Sequence, residues 1–281
     1  MNRLAGRRRD RRTRAALGAA SAALLALAIV DERRVSADGW PQPAAGLSQS
    51  GDPEILFTFD DGPHPTTTPQ VLDTLREFGV QAVFFQVGKM VVQPGAQPII
   101  DRILSEGHII ANHTMLHGEL CQVTEEEAVA EIDEGLRVIQ HAADMPIPWF
   151  RTPYGARCTR LDAELAERRV THFHWDIDPQ EWRHNNAKRA IANVIRALDR
   201  SHGREVVLMH DTKTATVKAL PVILQWIREE NVRREAAGRR QIRIVTASQY
   251  ARENLAPGLW RWLGRLSSEQ VLAPYLAAVL P

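Results

Sequence analysis

Short apolar runs alternate along this chain with stretches whose apolar residues recur at helical spacing, and this alternation restricts the fold more than any other feature. The runs are Ile55–Asp60, Val83–Val87, Ile109–Ala111, Trp149–Arg151, Thr171–Asp178, Glu205–Met209 and Ile242–Thr246. Helical stretches fall between them over Thr68–Phe78, Pro98–Glu106, Leu161–Arg168, Ala187–Arg200 and Val217–Arg234. A further helix opens at Thr124, where Glu127 three residues on completes a capping box, and reaches about Ala142. Strands alternating with helices predict an α/β fold with a mostly parallel sheet. Seven strands with polar residues gathered at one end favour a closed or incomplete barrel over a doubly wound sheet.

The polar groups at those ends form five segments: Thr58-Phe59-Asp60-Asp61-Gly62-Pro63, His113-Thr114-Met115-Leu116-His117, Arg151-Thr152-Pro153-Tyr154, Asp178-Pro179-Gln180-Glu181-Trp182 and Leu208-Met209-His210. Neighbouring side chains in a strand point to opposite faces, so Asp60 and Asp61 reach one site only if the strand bends, which Gly62-Pro63 allows. Crowded carboxylates resist ionising together unless a cation lies between them. A pair of helix-capping aspartates is the competing reading. His113 and His117 lie four apart and converge either on one face of a helix or from a tight loop. With one carboxylate they make three ligands with open positions, the composition of catalytic rather than structural zinc.

Arg151 at a strand end reads either as a surface cation or as the partner that holds Asp60 through a charge-assisted hydrogen bond. Asp178 reads either as a helix cap or as part of the site. His210 closes a buried strand, where a barrel rim gives a histidine chemical work. His64, His108, His141, His172, His174, His184 and His202 carry no such mark and are read as core or surface residues.

In order and spacing, the five segments, with Ala82–Gly88 after the first helix, resemble the motif set of the NodB-homology polysaccharide deacetylases, carbohydrate esterase family 4. The likeness covers roughly residues 52–250. It implies a distorted (β/α) barrel, usually seven-stranded. It also implies that Asp61, His113 and His117 bind a divalent metal, usually Zn2+, with Co2+ or Ni2+ as alternatives. Asp60 would be the general base and Arg151 would orient it. The Tyr154 backbone N–H would serve the oxyanion. Asp178 would orient and tune His210, the general acid. Trp182 and Leu208 would line a small pocket for the acetyl methyl. Where the family commonly has a second aspartate before the tryptophan, this chain has Glu181, a departure that bears on substrate fit rather than on the acid–base pair.

The resemblance points to a hydrolase removing N-acetyl groups from N-acetylglucosamine-type units of a cell-wall or extracellular polysaccharide, peptidoglycan or chitin-like. An O-acetyl esterase of the xylan type and a small-molecule amide hydrolase keep the same scaffold. A sugar-binding protein on a decayed scaffold would lack a ligand, base or acid, and none is missing here.

The chain's ends suggest its destination. Residues 1–37 hold nine Lys or Arg against three Asp or Glu, with an uncharged stretch from Ala15 to Val30 behind the arginines. That reads as a signal peptide or signal anchor, followed by a linker over residues 38–51, and implies an exported, periplasmic, cell-envelope or secreted protein. A membrane would be met only through that segment if it stays uncleaved. The remainder, with 26 basic against 31 acidic residues, disfavours nucleic-acid binding. Residues 52–255 make the deacetylase-like domain, and 256–281 read as a helical extension. Cys121 and Cys158 either bridge two rim loops or remain buried thiols. Oligomeric state is not legible.

Overall fold

Every residue of β1 (Glu54–Asp60) is buried, and its side chains alternate between two cores. Ile55, Phe57 and Phe59 join the larger core beneath the helices, with Val71, Leu72 and Leu75. Leu56 joins a smaller cluster of strand residues with Val83 and Phe85 inside the curled sheet. By the same alternation Thr58 and Asp60 point inward, which carries the Asp60 carboxylate to the mouth of the barrel. Burying each aromatic of β1 contributes ~2 kcal/mol. The computed structural model describes residues 53–250 apart from 148, 169 and 248, so the expectations for 1–37, 38–51 and 256–281 lie outside the described residues.

The sheet has seven strands in the order β5-β4-β3-β2-β1-β6, with β7 also on β1, and all pairs are parallel. They are β2 (Val83–Gln86), β3 (Ile109–Asn112), β4 (Trp149–Phe150), β5 (Thr171–His172), β6 (Arg204–His210) and β7 (Arg243–Ile244). β6 pairs with the whole of β1, and β7 takes Glu54 and Ile55, upstream of Thr58 where the pairing of β1 with β2 begins. The strand expected over Thr171–Asp178 is interrupted. After His172 the chain crosses over, and Ile177 makes an isolated parallel bridge to Val207 on β6. Asp176 secures the crossing, its carboxylate accepting from the Val206 N–H at 2.7 Å. The sheet therefore curls into an incomplete α/β barrel, as the alternation predicts.

The long helices are α1 (Thr67–Phe78), α3 (Gln97–Ser105), α4 (Glu125–Ala143), α5 (Thr159–Glu167), α7 (Ala187–Arg200) and α8 (Thr214–Ala236). Two four-residue helices, α2 (Gly88–Val91) and α6 (Glu181–His184), are too short to leave a period in the sequence. Thr124 and Glu127 form the expected capping box on α4, worth ~1 kcal/mol. The same helix supports the rim. A Cβ on Gly135 would stand 2.6 Å from the Thr114 carbonyl carbon, so only glycine lets α4 pack this close to the loop after β3. That loop is also tied by Asn112 Nδ2 donating to Ile132 O at 3.0 Å and by Met115 N donating to Glu131 O at 2.9 Å.

Candidate metal centre and catalytic rim

Asp60 is the last residue of β1, and Asp61 follows with φ 78°, a left-handed conformation that turns its side chain off the strand's alternation. This bend brings both carboxylates to one place. Asp61 Oδ1 is buried without a hydrogen-bond partner, although His117 Nε2 lies 3.2 Å and His113 Nε2 3.7 Å away. Burial works to raise the Asp61 carboxyl, but His117, His210 and His113 around it prevail and hold it well below the usual range.

The two histidines converge from a tight loop rather than a helix, with Thr114 at φ 68° and His117 at φ 66°. His113 Nδ1 lies 2.8 Å from the Arg151 carbonyl, an acceptor only, so Nδ1 carries the hydrogen and Nε2 presents its lone pair. Burial favours neutral His113 over the opposing pull of Asp60 and Asp61, and neutral imidazole is the form that binds metal. His117 Nδ1 faces the Tyr154 hydroxyl at 3.2 Å. One donor atom from each of Asp61, His113 and His117 lies within 4.8 Å of the others, the one such group among the described residues. An orphaned carboxylate oxygen facing two imidazole Nε2 atoms fits a divalent cation.

Arg151 is fully buried just beyond β4, and its Nη1 donates to Asp60 Oδ1 at 2.7 Å and to Thr58 Oγ1 at 2.9 Å. Its other nitrogens donate to the carbonyls of Phe173 and His174, and its guanidinium lies 4.0 Å from the Phe85 ring centroid. So many fixed partners hold one face of Asp60 rigidly. Asp60 Oδ2 lies 3.6 Å from His113 Nε2. Tyr154 occupies a left-handed position at φ 60° in a short 3-10 turn, with its side chain largely exposed.

Across the rim, His210 ends β6 directly opposite Asp60 in the strand register. The structure does not bring Asp178 to it. Asp178 Oδ1 instead accepts from the Gln180 N–H at 2.8 Å and faces the Trp182 indole N–H at 3.3 Å. Glu181 is the residue that reaches His210: its Oε1 lies 2.9 Å from His210 Nδ1 and accepts from the His210 N–H at 2.8 Å. The reason is local. Gln180 takes a left-handed φ of 58°, the chain turns into α6, and Glu181 is buried while Asp178 stays at the turn. Glu181, the position where this chain departs from the family's usual aspartate, is therefore the residue bonded to His210, and the sequence signal for it was its place next to Trp182. Burial lowers His210, but the hydrogen bond and charge of Glu181, with Asp60 and Asp61, prevail and raise it. Leu208 is buried on the same face of β6 as His210, paired with Thr58, whereas Trp182 is half exposed.

The sequence model of the polysaccharide deacetylase family matches residues 48–172. A chitooligosaccharide deacetylase of Bradyrhizobium is 36% identical over 164 residues, covering 58% of this chain and 72% of that protein. A peptidoglycan-N-acetylglucosamine deacetylase of Bacillus cereus is 32% identical over 184 residues, 64% of this chain and 84% of that protein. Among solved structures, the peptidoglycan deacetylase PdaC of Bacillus subtilis aligns with a TM-score of 0.62 at 26% identity, covering 76% of this chain and 96% of that one. The chain belongs to the NodB-homology polysaccharide deacetylases, carbohydrate esterase family 4, and is an enzyme of that family.

Proposed function

We propose that this enzyme removes N-acetyl groups from N-acetylglucosamine-type units of a cell-wall or extracellular polysaccharide, peptidoglycan or a chitin-like polymer. The observation that carries the reading is one rung of the sheet. Asp60 and His210 face each other across β1 and β6, with the Asp61, His113 and His117 cluster beside them. A chitooligosaccharide deacetylase and a peptidoglycan-N-acetylglucosamine deacetylase among the relatives support the substrate class.

Amide hydrolysis is slow because water is a poor nucleophile and an amine a poor leaving group. Asp61, His113 and His117 would hold a divalent cation, Zn2+ first with Co2+ or Ni2+ as alternatives, which would supply Lewis acidity toward water and the amide carbonyl. Asp60, fixed by Arg151, accepts the proton of the attacking water. His210 delivers a proton to the departing amine nitrogen, and Glu181 keeps it oriented and protonated for that purpose. The Tyr154 N–H donates to the carbonyl oxygen as negative charge grows there, a contribution of ~3 kcal/mol. Leu208 and Trp182 line the space for the acetyl methyl.

The basic and apolar N-terminal segment and the Cys121–Cys158 bridge support work outside the cytoplasm. The test is acetate release from chitin oligomers and from peptidoglycan, with and without a chelator, alongside O-acetylated xylan. Chelator-sensitive release from the N-acetylated substrates, lost in Asp60→Asn, is expected. Release from xylan alone would move the enzyme to the O-acetyl esterases. Full activity in a folded Asp60→Asn would remove the base assignment.

A further inference from the structure

Two loops of the rim are closed into a ring. His117 lies on the loop after β3 and Tyr154 on the loop after β4, yet the Tyr154 hydroxyl is 3.2 Å from His117 Nδ1 and the two rings pack edge to face at 4.7 Å. Four residues beyond each of them stand Cys121 and Cys158, joined by a disulfide with Cα atoms 6.1 Å apart. The ring is thus covalent at one end and meets a metal-ligand imidazole at the other. Arg160 at the start of α5 reinforces it from within, donating to the carbonyls of Leu120 and Val123, each at 2.9 Å. Leu120, fully buried, belongs to the same small core cluster as Phe150 and Leu161.

The three candidate ligands differ in what holds them. Asp61 follows directly from β1. His113 follows directly from β3, its N–H donating to Gln86 O at 2.9 Å and its Nδ1 held by the Arg151 carbonyl. His117 is neither on nor next to a strand. It occupies a left-handed position, its N–H donates to Thr114 Oγ1 at 3.0 Å, and its upstream neighbour Leu116 is tied to Glu131. Downstream, the nearest fixed points are Leu120, the disulfide and Arg160. A histidine in this setting keeps its ring orientation only if its outer nitrogen and its loop are both held.

We propose that the Cys121–Cys158 disulfide, together with the Tyr154 hydroxyl, is a positioning element of the metal centre that keeps His117 Nε2 aimed at Asp61, so that the site takes its cation tightly only in the oxidised chain. The proposal rests on the metal reading given above and adds a condition to it. Tight metal loading follows bridge formation, and so belongs to the oxidising compartment where the enzyme would work.

The test uses the full chain and reads Zn2+ affinity by competition with a chromophoric chelator, with folding followed by circular dichroism. Cys121→Ser/Cys158→Ser is expected to bind Zn2+ roughly 10- to 100-fold more weakly while keeping native dichroism. Tyr154→Phe is expected to lose affinity in the same direction by less, and the two changes together to cost less than the product of their separate effects. In a His117→Ala background, removing the bridge is expected to leave the residual Zn2+ affinity unchanged, a result that a general loosening of the fold would not give. If the serine pair does not fold, reduction and alkylation of the folded wild type supplies the same comparison. Zn2+ affinity within twofold of wild type, with only the melting temperature lowered, would overturn the proposal and leave the bridge as a staple of the fold. Failure of the oxidised wild type to bind Zn2+ at all would overturn the metal reading as well, so the two failures are told apart.

Discussion

Glu181 Oε1 contacts His210 twice, at 2.9 Å from the ring Nδ1 and at 2.8 Å from the backbone nitrogen, so one carboxylate oxygen fixes both the position and the proton of the proposed acid. As the proposed acid, His210 would have to be protonated to act, and its raised pKa is expected to extend activity upward in pH. Glu181→Gln removes the charge that raises it. The alkaline limb of the pH–rate profile is then expected to move to lower pH, with acetate release above neutrality falling about 10-fold or more. Asp178→Asn is expected to leave that limb in place. A profile measured on chitin oligomers separates the two, and a limb that follows Asp178 instead would undo the pairing.

Arg151 and Asp60 are a buried pair in which neither partner can return to water without unfolding the rim. Arg151→Ala leaves the Asp60 carboxylate and the carbonyls of Phe173 and His174 without their donor. The expected loss is about 3–5 kcal/mol in urea unfolding, beyond what a surface pair would cost. Arg151→Lys is expected to recover little, since an ammonium lacks the planar fork that reaches Asp60, Thr58 and two carbonyls together.

Metal binding should register in stability as well as in activity. A ligand present at 100 times its dissociation constant adds ~2.7 kcal/mol to the folded state. For a domain of this size that corresponds to a rise in melting temperature of roughly 5–10 °C. Zn2+ is expected to give such a shift with wild type and none with His113→Ala. An equal shift in the variant would place the cation elsewhere.

Asp211, next to His210, is fully buried, accepts from Thr68 Oγ1 at 2.6 Å, and is pushed up by burial to about 7. Between its ordinary value of 3.8 and about 7, the folded chain holds a proton that the unfolded chain has released. Unfolding is then favoured as pH rises through that window, so this group lowers stability progressively and costs most above it. Asp211→Asn keeps an acceptor for Thr68 and removes the titration. Relative to wild type it is expected to gain stability from pH 4 to pH 8, by roughly a few kcal/mol at most. Urea midpoints at the two pH values give the slope, and parallel slopes would deny the burial of a titrating carboxyl.

Much of the fold was legible because the signals are local. The Thr124–Glu127 capping box needs only three residues of spacing, and α7 spans Ala187–Arg200 as its apolar period indicates. The run Ile55–Asp60 reads as a strand from its own residues, and in the structure its alternation puts Phe57 and Phe59 on one side and Thr58 and Asp60 on the other. Strand β5 was less legible: the apolar character of Thr171–Asp178 persists, but the Asp176 carboxylate and the Ile177 bridge bind its second half to β6 instead of extending β5.

By itself the sequence determined the parallel α/β order and the residue types at the rim, because strand and helix periods are properties of neighbouring residues. Only the tertiary structure decided that Asp61 swings in beside Asp60, that Glu181 rather than Asp178 meets His210, and that Cys121 and Cys158 close two loops around His117. Each of those outcomes hangs on a loop, and two of them on a left-handed residue within it. There a single φ angle redirects a side chain by several ångströms, and no periodicity announces the turn.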